Sequence, residues 1–131
     1  MEATISERKS AKPAGKAKDA SSPYAYPWSD WLAREDPEYA RARQPVSALS
    51  TGEGKELSIK PREMVIIGIL AFRGRQEGVV AYTRRAIQHG ATKRELLEAI
   101  QAAAVPGGGP TLSAGVQALI QLEKEGGFKK S

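Results

Sequence analysis

Cysteine is absent from this chain, and histidine occurs once, as His89. The first absence removes disulfides, thiolate metal ligands and thiol redox chemistry from whatever the protein does. The second excludes a histidine-rich zinc site, and no metal is expected. No apolar run approaches the roughly 18 residues that a membrane-spanning helix requires; the longest, Met64 to Phe72, reads as a buried element. The N-terminal MEATISERKSAKPAGK has no apolar core, so a secretory signal is not expected and a cytoplasmic location is the default. Any chemistry must therefore use carboxylates, tyrosines, lysines, arginines or hydroxyls.

What is present suits a water-soluble helical protein. The 131 residues are 40% hydrophobic and 27% charged, as in ordinary globular domains. A net charge of +5 raises the question of nucleic acid. Much of that excess lies in the N-terminal Arg8, Lys9, Lys12, Lys16 and Lys18 and in Lys129 and Lys130, with mixed signs between. No basic stripe interleaved with aromatics appears, so nucleic acid is not an expected partner.

Residues 1–22, rich in Lys, Ala, Ser and Pro, cannot bury enough surface to offset ordering entropy and read as a disordered basic tail. Residues 23–54 form an N-terminal segment. It opens with Tyr24, Tyr26, Trp28 and Trp31, a density of aromatics that usually docks on a core or a neighbouring subunit. Asp36-Pro37 is a helix start, an acidic cap followed by proline in the first turn. Pro45 should end or kink that helix, and Thr51 to Lys55 reads as a loop.

From residue 55 to 126 the pattern is helical throughout. Ser58 and Pro61 open a helix through PREMVIIGILAF, apolar on every face and so expected to be covered on all sides. A second runs from about Gln76 to His89 and stops at Gly90, where His89 reads as a capping residue favoured by the helix dipole. Thr92-Lys93-Arg94-Glu95 is a capping box, opening a helix with Leu96, Leu97, Ile100, Ala103 and Ala104. Pro106 and the three glycines after it should break that helix, and Pro110 should start the last, with Leu112, Val116, Leu119 and Ile120 at helical spacing. The glycine run reads as a turn rather than a phosphate cradle, since no Gly-x-x-x-x-Gly-Lys-Ser/Thr pattern accompanies it. Residues 127–131 are a short tail. The expected fold is all-α, a small helical bundle. Four short helices give a thin core, typically ~3–5 kcal/mol on its own, so subunits are expected to shield one another's apolar faces in a homo-oligomer.

LSIKPREMVIIGILA, a short break, then TRRAIQHGATKRELLEAIQAAAVPGGGP resembles the carboxymuconolactone decarboxylase superfamily, which includes the alkylhydroperoxidase D type. The resemblance covers roughly residues 55–122. It implies a helical domain assembled as a homotrimer or homohexamer. The peroxidase branch carries Cys-x-x-Cys-x-x-x-His, its histidine eight residues before the capping glycine. Counting back from Gly90 places Tyr82 at the histidine position and Gly78 and Arg75 at the cysteine positions. Thiol-dependent peroxide reduction is excluded by composition. That branch's glutamate, twelve residues before its first cysteine, corresponds to Glu63. The resemblance thus points to Glu63 and Tyr82 as candidate catalytic groups and to Arg75, Arg73 and Gln76 as candidate substrate contacts, without a cofactor. A glutamate base, a phenol donor and an arginine for a carboxylate would suit proton transfer, decarboxylation or hydration of a small carboxylate or lactone. The alternative is a non-catalytic oligomeric scaffold or accessory subunit in which Glu63 and Arg75 pair in a filled pocket. Between enzyme and scaffold the residues alone do not decide.

Overall fold

A computed structural model describes residues 27–128; the expected tail over 1–22, Tyr24, Tyr26 and the last three residues lie outside them. Six helices and no strand occur among the described residues: α1 (Pro27–Glu35), α2 (Pro37–Thr51), α3 (Ile59–Phe72), α4 (Gln76–Gln88), α5 (Lys93–Gly107) and α6 (Gly109–Lys124). The chain divides between Ser50 and Thr51 into two compact units.

In the first unit, Asp36 begins α2 as its sequence predicts, its Oδ1 accepting from the Tyr39 N–H at 3.0 Å. The Arg43 guanidinium lies 4.8 Å from the Trp28 ring centre, giving that aromatic a cationic partner. Pro45 does not end α2, which continues to Thr51; its missing N–H costs the helix one hydrogen bond but leaves the helical path intact.

The second unit is a bundle in which α3 packs on α4, α5 and α6, and α6 also packs on α4 and α5. Ile67, Val79, Ala86, Leu96, Ile100 and Ala118 are fully buried and form its centre. Each recurs at helical spacing on the inward face of its own element. The α4–α5 connection follows the sequence closely. Gly90, at φ +93°, takes a conformation that side chains disfavour. This lets Gly90 N–H reach the Ile87 carbonyl and Ala91 N–H reach that of Ala86, which closes the helix end. The capping box then forms in both directions, Glu95 N–H to Thr92 Oγ1 at 3.1 Å and Thr92 N–H to Glu95 Oε1 at 2.9 Å.

One expectation is corrected here. Pro106 does not break α5, which runs through it to Gly107; the break falls at Gly108, φ +84°, which closes α5 and opens α6. Within one chain α3 is covered on one side only. Glu63, Ile67, Gly68 and Ala71 face inward, whereas Val65, Ile69 and Phe72 are 57%, 55% and 64% exposed. Their spacing of four and three residues makes a continuous apolar stripe.

Candidate functional site

Helices α3 and α4 run as a hairpin whose turn is set by Arg75 N–H donating to the Leu70 carbonyl and Gly74 N–H to that of Ala71. An antiparallel pair places the first turns of α3 beside the last turns of α4. Glu63, in the second turn of α3, therefore meets Arg85 and His89 rather than residues at the start of α4. Arg85 Nε lies 2.6 Å from Glu63 Oε2, and His89 Nδ1 lies 3.5 Å from Glu63 Oε1.

The Glu63 carboxylate has no exposed surface, while the Arg85 and His89 side chains are 16% and 35% exposed. Burial pushes the Glu63 carboxyl above its ordinary 4.5, and Arg85 and then His89 pull it part of the way back. Desolvation wins because the ionised form has lost its water without full replacement. Although Arg85 is close, neither Glu63 oxygen accepts a directed hydrogen bond among the described residues; the contacts with Arg85 and His89 favour the ionised form without outweighing burial. Thr83, fully buried on α4, likewise has an Oγ1 with no partner among the described residues.

Arg85 is held from a second side, its Nη2 reaching the Thr51 carbonyl at 3.3 Å. Arg62 similarly donates to the Gly52 carbonyl at 2.8 Å, so two arginines grip consecutive carbonyls. His89 is fixed through its Nδ1, 2.9 Å from the Arg85 carbonyl.

The other sequence-predicted residues fall in two places. Tyr82 is buried in α4, one turn ahead of Arg85 and on the same helical flank. Arg73 caps the end of α3, Arg75 precedes α4, and both are exposed, with Gln76 half-buried beside them. Ten residues of helix separate Arg75 from Arg85, about 15 Å. Glu63 thus pairs with Arg85, not with Arg75. Arg85 and His89 escaped the sequence reading as partners of Glu63, although a signal existed: both lie on one flank with Tyr82, at spacings of three and seven residues. Among the described residues no three His, Asp or Glu side chains gather as a metal site, and no helix is long and apolar enough to cross a membrane.

The sequence profile of the carboxymuconolactone decarboxylase family matches residues 37–121. The chain belongs to this family. Its fold is similar to that of a protein from Burkholderia xenovorans LB400 assigned as a carboxymuconolactone decarboxylase, with a TM-score of 0.66 and 24% identity over 82% of this chain and 86% of that one. A carboxymuconolactone decarboxylase family protein from Legionella pneumophila is similar with a TM-score of 0.63 and 24% identity, covering 72% of this chain and 83% of the other. No curated protein matches the sequence. Identity at this level carries the shared fold and nothing about a reaction.

Proposed function

We propose that the protein acts on, or binds, a small carboxylate or lactone without thiol chemistry, with Glu63 as the proton-transferring carboxyl and Tyr82 as its phenol partner. One observation carries the reading: Glu63 is wholly buried, its ionised form is disfavoured, and its oxygens accept no directed hydrogen bond. A carboxylate kept only for structure is normally saturated with donors, because burying it otherwise costs stability. Spare acceptor capacity beside a raised pKa is instead the pattern of a proton-transfer group. Arg85, beside Glu63, is the guanidinium suited to hold a substrate carboxylate, the role first expected of Arg75. Arg73, Arg75 and Gln76 sit at the α3–α4 turn, with about 15 Å of helix between Arg75 and Arg85, and take no part in this reading.

Thermal-shift screening with small aromatic and dicarboxylic acids tests this. Acids that raise the wild-type melting temperature should lose that effect on Glu63→Gln and on Tyr82→Phe. Unchanged binding of every such acid by both variants would overturn the proposal.

A second reading, a non-catalytic oligomeric scaffold, is favoured by the exposed stripe of Val65, Ile69 and Phe72. An apolar strip of this kind marks a surface made for another chain, and a homotrimer or homohexamer would cover it. The two readings share the assembly and differ in whether Glu63 has a ligand.

A further inference from the structure

We infer that His89 is the proton conduit between the buried Glu63 carboxyl and solvent. The inference deepens the proposed role of Glu63 and rests on it for its purpose, but the proton path can be measured without any ligand.

A fully buried carboxyl can exchange a proton only through a neighbour that both accepts and releases one. Glu63 contacts two ionisable side chains among the described residues, Arg85 and His89. Arginine does not give up its proton in proteins, so Arg85 can set the local field but cannot relay. His89 can, because its two ring nitrogens let it take a proton on one side and release another on the other. Its position is that of a bridge. Nδ1 lies 3.5 Å from Glu63 Oε1 while the side chain is 35% exposed.

The tautomer follows from the hydrogen bond. Nδ1 is 2.9 Å from the Arg85 carbonyl, which can only accept, so in the neutral ring Nδ1 carries the hydrogen and Nε2 is the acceptor. Protonation of Glu63 then proceeds in balance. Nε2 takes a proton from hydronium, leaving water and an imidazolium; the Nδ1–H then turns from the Arg85 carbonyl to Glu63 Oε1, 3.5 Å from Nδ1, and its N–H bond breaks as the Oε1–H bond forms, leaving a neutral ring. Release runs the same path backwards: the Oε1–H bond breaks as Nδ1–H forms, and the Nε2 proton passes to water, which restores the ring with its hydrogen on Nδ1. Charged groups on the other elements packed against α3 are committed elsewhere: Glu95 of α5 to Lys60 at 3.0 Å, and Glu123 of α6 to Lys93 at 2.7 Å. Beyond the end of α6, Glu125 pairs with Arg84 of α4.

The test is nuclear magnetic resonance of the full chain, labelled at the glutamate side-chain carboxyl carbons. Proton exchange at Glu63 is followed by relaxation dispersion across its titration. His89→Ala should slow that exchange roughly a hundredfold, and added imidazole should restore it. His89→Gln should be slow as well, since an amide can donate to both oxygens yet cannot relay, and it covers the case in which the alanine variant folds poorly. Ring nitrogen shifts of the wild type should show hydrogen on Nδ1. Wild-type exchange rates in the substituted proteins, slowing that imidazole does not relieve, or a neutral ring with its hydrogen on Nε2 would each overturn the inference. A relay confirmed in a protein that binds none of the screened acids would leave this inference standing and remove the proposed function alone.

Discussion

Glu63 and Thr83 show how a buried polar atom separates structural from functional roles. A simple buried ion pair broken at Glu63 would cost about 3–5 kcal/mol, because Arg85 would be left uncompensated. Burial raises the Glu63 pKa against the pull of Arg85 and His89, so part of that pairing energy is already offset by lost hydration in the fold. We therefore expect Glu63→Gln to lower unfolding free energy at neutral pH by less than the roughly 3–5 kcal/mol of a fully compensated buried pair, as read by urea denaturation. Thr83 offers a second check. Its hydroxyl has no partner among the described residues, so Thr83→Val should raise stability by about 1 kcal/mol. Loss of stability on that substitution would show that the hydroxyl is satisfied after all. The family resemblance singled out Glu63 and Tyr82, and both are buried in the fold. Arg85 as the partner of Glu63 was not visible in the sequence, because sequence spacing fixes which residues share a helix face but not which turn of a neighbouring helix lies opposite.

Helix types and several ends were legible wherever one local interaction dominates. Thr92 and Glu95 satisfy each other's backbone, Gly90 closes α4, and Asp36 starts α2, and each was read from a few consecutive residues. Pro45 and Pro106 misled because a proline removes a hydrogen bond and introduces a clash, yet packing and neighbouring turns can carry a helix through it. Helix contacts give their own test. A Cβ on Gly115 of α6 would come within 2.5 Å of the fully buried Ile100 of α5. Gly115→Ala should accordingly lower stability by about 1–3 kcal/mol; a calorimetric melting temperature equal to wild type would mean that α5 and α6 separate freely.

At the level of the molecule, charge and apolar surface make two demands. Glu95 is held below its ordinary carboxylate range by its hydrogen bond with Thr92 and by Lys60, and Glu125 by Arg84. Groups of this kind support the fold above 4.5 and lose that support as pH falls through their lowered values. Glu63 acts in the opposite sense, contributing below 4.5 and losing its contribution as pH rises through its raised value. Melting temperature should thus pass through a maximum in mild acid, and Glu63→Gln should flatten the alkaline side alone. The proposed assembly is tested at the exposed stripe. Ile69→Lys should dissociate the oligomer, seen by sedimentation as a smaller species, while a wild type that already sediments as one chain would remove the interface.

The junction at Gly108 carries a last consequence. Because this residue both terminates α5 and initiates α6, the hairpin has no slack in which a length change could be absorbed. One residue inserted after Pro110 would turn everything beyond it by about 100°, swinging Ala118 and Leu122 away from the centre they occupy.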